Sequence, residues 1–255
     1  MSREKIQIEL KTNALTVAEA LEMWTLYEPY YYYSFEDFFR RVTANTHYAL
    51  YRQAGKLVGF TGLRIEKINL LGKRYLTIYF GQTLVASGVR GKGLINRTGL
   101  RVLRRFWQDM LTHQIVFWAD TLSYRAYLVF AKNLEDYYPN HRNVLPEDMR
   151  MLRDFLGRKY YGERYCPQSG TIQKDLNLVR DNTTMVISAH EQQDADVDCF
   201  VRANPNYAQG TGLLTLGPGH WRNIQSIFKK FRAKQRDLRT TTRPERKELM
   251  LKAAV

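Results

Sequence analysis

One segment of the chain combines residue types that suit the binding of a phosphate group. Residues 84–95 read LVASGVRGKGLI, so an apolar stretch is followed by glycines and basic residues and then by the start of a helical pattern. The N–H groups at a helix start attract anions, and the helix dipole adds to this attraction. Gly91 and Gly93 would let a phosphate come close to the backbone, while Arg90 and Lys92 supply positive charge. The segment therefore predicts a phosphate or pyrophosphate ligand, with a basic surface turn as the alternative.

The sequence lacks the motifs of several other kinds of site. It contains neither a G-x-x-x-x-G-K-[ST] loop nor an early G-x-G-x-x-G in a βαβ unit, which excludes the common nucleotide-binding loops. Cys166 and Cys199 form no C-x-x-C pair, so we expect two free thiols and neither a zinc site nor a disulfide framework. Residues 190–199 contain His, Glu, Asp and Cys, but their spacing matches no zinc or calcium motif. We expect a solvated acidic loop there and no metal.

The predicted secondary structure places the glycine-rich segment between a long strand and an amphipathic helix. Gly81 lies inside that strand, where an interior glycine indicates a bulge or a close backbone approach. Beyond Pro139 the pattern weakens, and we predict strands at 185–189 and 198–203 and a loop at 210–219. The other strands are predicted at 6–10, 47–53, 57–68, 74–86 and 115–120, and the helices at 17–27, 35–42, 94–111, 124–133, 146–158 and 220–234. This order is typical of an α/β domain.

The part of the chain from His47 to Asn133 resembles the core of the GNAT N-acetyltransferases. Their hallmark is R/Q-x-x-G-x-G/A between the fourth strand and the third helix, and here residues 90–95 read RGKGLI. Arg90 and Gly93 match the hallmark, whereas Ile95 replaces its last small residue. The resemblance covers roughly residues 5–135. It implies a mixed, mostly antiparallel central sheet flanked by helices, followed by a C-terminal extension.

The resemblance also implies a cofactor and a place for it. The fourth and fifth strands of the family splay apart, and acetyl-CoA or another acyl-CoA would lie between them. The pantetheine would follow residues 83–86, and the pyrophosphate would lie on residues 90–95. The cofactor-binding residues expected on this basis are Leu84, Val85, Ala86, Arg90, Gly91, Lys92, Gly93, Leu94, Ile95 and Ser123.

The general acid of the family is a tyrosine on the fourth helix. This chain has a different residue at the corresponding position. The helix of the family often begins N-x-x-A-x-x-L-Y, and the final position corresponds to Phe130, which has no proton to donate. Tyr127 lies about one turn earlier on the same helix and is the nearest substitute. Tyr124 is less well placed. We therefore predict Tyr127 as the general acid.

The general base of the family is often a carboxylate on the fourth strand, where this chain has Gln82 and Thr83. Neither is a base at neutral pH, so Asp120 at the end of the fifth predicted strand is the best remaining carboxylate. The alternative role of Asp120 is to cap the helix that begins beside Ser123. His47 and Glu66 are further candidates, although the sequence favours a place on the surface for each of them over a catalytic role.

Aromatic residues cluster where the family forms its acceptor pocket, between the first two helices. They comprise the tyrosine run 30–33 and the residues Phe35, Phe38 and Phe39. Such a cluster can line a pocket for an apolar or aromatic acceptor, or for a long acyl chain. It can equally form core and aromatic surface.

The formal net charge of +14 limits the partners more than the fold. Half of it lies in residues 229–255, which have ten Lys or Arg against three acidic residues. We predict a single domain over residues 1–235, with a core of about 5–139 and an extension of about 140–235 that completes the sheet. Residues 236–255 would form a flexible basic tail.

The sequence leaves three functions open. The first is a cytoplasmic CoA-dependent N-acyltransferase for a small-molecule amine, with acyl carrier protein as a possible donor because that partner is acidic. The second is a GNAT-type protein that acts on tRNA or another nucleic acid, although no nucleic-acid-binding motif supports it. The third is a GNAT-like protein that binds CoA without catalysis. The chain has no apolar stretch long enough to span a membrane and no visible secretory signal, and either a monomer or a homodimer is compatible with it.

Overall fold

The computed structural model describes residues 5–12, 14–174, 186–233 and 236. The helices are α1 (Val17–Tyr27), α2 (Phe35–Thr43), α3 (Leu94–Arg105), α4 (Tyr124–Ala131), α5 (Glu147–Tyr161), α6 (Ala195–Ala203) and α7 (221–233). The strands are β1 (Gln7–Lys11), β2 (His47–Gln53), β3 (Lys56–Leu70), β4 (Lys73–Val85), β5 (Gln114–Thr121), β6 (Tyr165–Cys166), β7 (Thr171–Gln173) and β8 (Thr211–Pro218).

The strands form a single sheet in the order β1-β2-β3-β4-β5-β8-β7-β6. Its neighbouring strands are antiparallel except for β4 and β5, which run parallel. The predicted fold class, a mixed and mostly antiparallel sheet flanked by helices, is confirmed. Within the described ranges, none of the helices has the length and apolar character that crossing a bilayer requires.

Helices cover both faces of the sheet. On one face α1 and α2 pack over Phe60 and Leu84, and α5 packs over Tyr79 and Trp118. On the other face α3 and α4 pack over a second apolar cluster that includes Phe117. Successive residues of a strand point to opposite faces, so each strand residue can be assigned to one of these two faces.

Three helices begin at side-chain caps. Thr16 accepts a hydrogen bond from the backbone N–H of Glu19 and completes a capping box with it. The Ser34 hydroxyl accepts from the N–H of Asp37, and Ser123 caps α4. Such caps satisfy N–H groups that have no partner inside the helix, so they fix where each helix starts.

Two predictions for the C-terminal half are wrong. Residues 210–219, predicted as a loop, contain β8, and residues 198–203, predicted as a strand, form the second half of α6. Thr211 to Gly217 are all buried, because β8 lies between β5 and β7 with helices on both faces, and such a strand shows no polar alternation. Asp194 caps α6 by accepting from the N–H of Asp196, and this favours a helix over the expected acidic loop.

Smaller differences concern element ends. The helix predicted over 94–111 ends at Arg105 and is followed by a short 3₁₀ turn, Asp109–Leu111. Residues 186–189 form no strand, and the first residue of that predicted strand lies outside the described residues. The two cysteines are free thiols, as expected, with Cys166 exposed and Cys199 buried.

Candidate functional site

The parallel strands β4 and β5 separate part of the way along their length. They pair only where Tyr75 to Tyr79 face Gln114 to Trp118. Beyond this point β4 continues to Val85 and β5 to Thr121 without pairing with each other. In the described part of the chain, no strand pairs with the edge of β4 that faces β5 from Phe80 onward, which leaves backbone groups there available to a ligand.

A β-bulge lies in β4 where the two strands separate. Gly62 of β3 faces Gly81, whereas Phe60 faces Leu84, so β4 has one residue more than β3 in this interval. Gln82 occupies the bulge with a φ of 27°, in the left-handed region that non-glycine residues rarely adopt. The prediction that Gly81 marks a bulge is confirmed.

The bulge is tied to the end of α2. The Gln82 Nε2 donates to the Arg41 carbonyl at 3.1 Å, and its Oε1 accepts from the Asn45 amide nitrogen at 2.6 Å. These two bonds hold the strained residue in place, since such a backbone conformation persists only where the surroundings fix it. The Asn45 Oδ1 is buried and has no hydrogen-bond partner among the residues that the structure describes.

A chain of hydroxyl groups, of which only that of Thr83 belongs to an exposed residue, connects the bulge to α3 on the other face of the sheet. The Thr83 hydroxyl donates to Thr61 at 3.2 Å, and Thr61 is 2.8 Å from the Tyr51 hydroxyl. Tyr51 in turn lies 2.9 Å from the hydroxyl of Thr98 on α3. Through these bonds the bulge and the helix that follows the glycine-rich segment are held in a fixed relation.

Asp120 lies at the point where the strands separate and is surrounded by hydrogen-bond donors. The hydroxyls of Tyr79 and Tyr161 are each 2.7 Å from one of its carboxylate oxygens, and Lys174 forms an ion pair with it. Asp120 and Gly81 both stand two residues beyond the last strand pair, Tyr79 and Trp118. The carboxylate and its three partners thus gather beside the bulge, on the face that α5 covers.

These contacts set the protonation states of the cluster. Burial alone would raise the pKa of Asp120, but the positive charge of Lys174 and the two tyrosine hydroxyls outweigh it, and the pKa falls below its ordinary value. Burial, followed by the negative charge of Asp120, raises the pKa of Tyr79 and of Tyr161 well above 10. At neutral pH the cluster therefore combines one carboxylate with two protonated tyrosines.

The alternative role of Asp120 as a helix cap is wrong. The Ser123 hydroxyl itself accepts the hydrogen bond from the Ala126 N–H at the start of α4. The carboxylate of Asp120 instead bonds to Tyr79, Tyr161 and Lys174.

The structure does not bring Tyr127, the predicted general acid, next to Asp120. Tyr127 lies with Phe117 in the apolar cluster on the α3 and α4 face, whereas Asp120 faces α5. The Tyr127 hydroxyl is 2.8 Å from the Pro139 carbonyl oxygen, to which it donates, and the side chain has no solvent exposure. Burial raises its pKa, with Cys199 and Tyr137 adding to the shift. Its catalytic role stays a prediction.

The glycine-rich segment forms a turn at the start of α3. Gly91 has a φ of 77°, and Gly93, with a φ of 66°, is the residue before the first turn of α3. Both are left-handed conformations that glycine adopts without cost, so the two glycines shape this turn. The first N–H groups of α3 have no acceptor inside the helix. The Arg90 side chain bends back and donates to the Val85 carbonyl at 3.0 Å.

The predicted cofactor-binding residues fall at three places. Leu84 has its side chain buried under α1 and α2, while Val85 and Ala86 pack on the other face, toward β1. Ser123 is the cap of α4. The turn and first residues of α3 contain the rest, Arg90, Gly91, Lys92, Gly93, Leu94 and Ile95.

The other base candidates have different surroundings. His47 packs edge-on against Phe106, and burial followed by the charge of Arg105 lowers its pKa. Glu66 is bonded to Lys159 and to the hydroxyl of Tyr160.

The tyrosine run forms part of the core and part of the surface. Tyr27 and Tyr31 stack with ring centroids 4.0 Å apart, and Tyr27 contacts Phe38, which is buried. Tyr32 is 58% exposed, and Arg41 lies over the ring of Tyr33. The aromatic cluster therefore supports α1 and α2 beside the bulge.

Sequence reasoning missed three partners of Asp120, namely Tyr79, Tyr161 and Lys174. Tyr79 offered one signal, since it stands two residues before Gly81 on the same face of the predicted strand. Tyr161 lies at the end of α5, and Lys174 follows β7. No local pattern joins these elements to the fifth strand.

Comparisons with known proteins give matches to solved structures of acyltransferases, while no family model and no curated protein matches. A probable N-acyltransferase from Enterococcus faecalis shares 16% identity over 52% of this chain and 34% of its own length, with a TM-score of 0.37. A ribosomal-protein-alanine N-acetyltransferase from Brucella melitensis shares 20% identity over 44% of this chain and 79% of its own, with a TM-score of 0.33.

A third match is Arabidopsis thaliana Naa50, solved in complex with the bisubstrate analogue CoA-Ac-MVNAL. It shares 17% identity over 55% of this chain and 91% of its own length, with a TM-score of 0.34. At this level of similarity, function has to be inferred from the side chains and backbone of this chain itself.

Proposed function

We propose that this protein is an N-acyltransferase of the GNAT type, which moves an acyl group from a CoA thioester to an amine of a small molecule. One observation supports this most directly. The parallel strands β4 and β5 separate at a bulge, with a glycine-rich helix start on one side of the sheet and the Asp120 cluster on the other. A thioester that lies between the strands would reach the Asp120 cluster and the acceptor amine on one face of the sheet, while its pyrophosphate would reach the glycine-rich turn.

The residues of the glycine-rich turn fit a pyrophosphate. A Cβ placed on Gly91 would meet no atom of the described residues within 4 Å, so the backbone at this point has room for a ligand beside it. The first N–H groups of α3, together with Arg90 and Lys92, would hold the phosphates, and the open edge of β4 would hold the pantetheine. When bound, CoA supplies an acyl group that is activated as a thioester.

The Asp120 cluster can stabilise charge and donate a proton in this reaction. As the new C–N bond forms and the C–S bond breaks, the amine nitrogen loses one proton and the sulfur gains one. Asp120 is ionised and can orient the amine and stabilise the positive charge that develops on it. Tyr161 stays protonated at neutral pH and can donate a proton toward the sulfur, and the proton released by the amine nitrogen then restores its hydroxyl through solvent.

Binding of acetyl-CoA to two matched variants tests the cofactor. Gly91→Asp places a carboxylate in the turn, and Gly72→Asp makes the same change at a hairpin glycine with a φ of 76° and equally free space. We expect calorimetry to show at least a tenfold loss of affinity for Gly91→Asp and unchanged affinity for Gly72→Asp, because only the first carboxylate would face the pyrophosphate. Equal affinities in the two variants would contradict the placement.

Two measurements on the wild-type protein identify the acyl donor and test for acyl transfer. A saturable rise in melting temperature with acetyl-CoA or palmitoyl-CoA, absent with NAD, would support the CoA class and indicate the preferred acyl length. No response to any CoA thioester would contradict the proposal and leave an acyl carrier protein as the donor to test. Binding without release of free thiol, across a panel of amines, would instead indicate a CoA-binding protein without catalysis.

A further inference from the structure

An arginine that forms no ion pair with the described residues lies next to the Asp120 cluster. Arg64 of β3 is paired across the sheet with Tyr79, on the same face, and its guanidinium lies 5.1 Å from the centroid of that ring. It also lies 4.1 Å from the centroid of the Tyr160 ring. Among the residues that the structure describes, no carboxylate oxygen comes within 4.0 Å of it. The nearby Glu66 is bonded to Lys159 and Tyr160 instead.

Arg64 is also held at the bulge. Its Nε donates to the Ala44 carbonyl, 3.4 Å away, at the end of α2. The same end of α2 accepts the hydrogen bond from Gln82, through the Arg41 carbonyl. One tyrosine ring, that of Tyr79, separates the guanidinium from Asp120, because the ring lies beside Arg64 and its hydroxyl bonds to the carboxylate. A positive and a negative group thus lie on one face of the sheet, with the Tyr79 side chain between them.

The Arg64 guanidinium and the Asp120 carboxylate together favour one chemical class of acceptor. A guanidinium binds carboxylate and phosphate groups through paired hydrogen bonds, and the two aromatic rings beside that of Arg64 restrict its orientation. A carboxylate attracts the positive charge of an amine. We infer that the acceptor is an amine that also has an anionic group, carboxylate or phosphate, bound by Arg64 while Asp120 orients the amine. This inference rests on the proposed function, since it names the substrate class of that same site.

Direct binding of three related amines tests the inference without any acyl donor. β-Alanine has a carboxylate, β-alaninamide replaces it with a neutral amide, and aminopropyl phosphate has a phosphate. We expect calorimetry on the full chain to give at least tenfold tighter binding for one or both anionic amines than for the amide. The stronger of the two identifies which anionic group the site prefers.

Arginine variants test whether the preference for anionic amines depends on Arg64. Arg64→Gln should remove the preference for the anionic amines, whereas Arg74→Gln, at an exposed position near the start of β4, should leave it unchanged. Arg64→Lys should retain only part of it, because a lysine forms no planar paired contact. Equal binding of all three amines by the wild type, or an unchanged preference in Arg64→Gln, would overturn the inference.

The acyl-transfer assay separates this inference from the proposed function. Release of thiol from acetyl-CoA with β-alaninamide as readily as with the anionic amines would support acyl transfer and overturn the anionic acceptor. Tight binding of an anionic amine that depends on Arg64, with no CoA binding in the same preparation, would support the acceptor site and contradict acyl transfer from CoA.

Discussion

At the scale of single residues, the candidate site depends on how the negative charge of the Asp120 carboxylate is neutralised and hydrogen-bonded. The Asp120 side chain is only 11% exposed, and an unpaired charge in such a place would be costly. Lys174 supplies the opposite charge, and the two tyrosines supply hydrogen bonds, so the carboxylate remains ionised. The consequence for chemistry is that Asp120 can hold positive charge nearby, while the proton donors of the site are the tyrosines.

Two tyrosine variants distinguish the candidates for the general acid. We expect Tyr161→Phe to lower kcat about a hundredfold, the usual contribution of a general acid, with unchanged affinity for acetyl-CoA. Tyr127→Phe should leave kcat near the wild-type value and lower stability by about 1 kcal/mol, through loss of its hydrogen bond to Pro139. Steady-state kinetics with the best acceptor amine provides the measurement. The opposite pattern would support the general acid that the sequence predicted.

The charge of Asp120 should also make the free energy of unfolding depend on pH. Its pKa is lowered on folding, so its contribution is present above its ordinary value of 3.8 and is lost as the pH falls through the still lower value of the folded state. We expect Asp120→Asn to lower the free energy of unfolding by about 2 kcal/mol at pH 7, since it removes the negative charge that pairs with Lys174 and one of the two acceptor oxygens. Urea denaturation should show this difference shrinking below about pH 4.

A matched variant provides the control for that experiment. Asp148 also pairs with a lysine, Lys73, but both side chains are more exposed than those of the Asp120 pair. Asp148→Asn should therefore have a much smaller effect at pH 7. Similar losses in the two variants would mean that the Asp120 pair behaves like an ordinary surface pair.

At the scale of secondary structure, the bulge in β4 connects the two halves of the site. On one face Gln82 bonds to the end of α2, and on the other Thr83 begins the row of hydroxyls that reaches Thr98 on α3. Gly81 is needed here because the ring of Tyr79 folds over it. A Cβ on Gly81 would lie 2.2 Å from an atom of that ring.

This close contact predicts the result of adding one methyl group. Gly81→Ala should push the Tyr79 ring away from Asp120, lower kcat at least tenfold and cost about 1–3 kcal/mol of stability. Gly99→Ala, on α3, meets only one side-chain atom at 3.9 Å and should be neutral or stabilising. Kinetics and urea denaturation of both variants check this. A Gly81→Ala protein with normal activity would show that the position of Tyr79 does not matter for turnover.

At the scale of the whole molecule, the site depends on a strand that comes late in the chain. β8 lies next to β5 and is buried along most of its length, and the short β7 and β6 extend the sheet beyond it. In turn, α5 crosses this part of the sheet and brings Tyr161 to Asp120. The residues after Pro139 therefore provide part of the candidate site as well as part of the core.

The central place of β8 can be tested through stability. Leu214 has no solvent exposure, and its replacement by Ala should lower the free energy of unfolding by about 2–5 kcal/mol, as for other buried leucines. Leu111 is 75% exposed, so Leu111→Ala should change it by no more than about 0.5 kcal/mol. Urea denaturation of both proteins measures the difference. Equal stabilities would mean that residues 210–219 are the loop that the sequence predicted.

The sequence by itself determined the elements whose patterns are local. α1 and β2 begin and end where the spacing of apolar residues and the flanking turns predicted, and Gly81 marked the bulge. The caps at Thr16, Ser34 and Ser123 are equally local, since each bonds to an N–H group three residues later. The glycine-rich turn before α3 was also visible, because left-handed turns call for glycine at fixed positions.

Only the tertiary structure decided which residues surround Asp120. Its partners come from β4, from the end of α5 and from the segment after β7, and such long-range pairing leaves no periodic signal in the sequence. β8 was missed for a related reason. A strand that is covered on both faces loses the alternation of polar and apolar residues, so its burial depends on its neighbours and not on its own pattern.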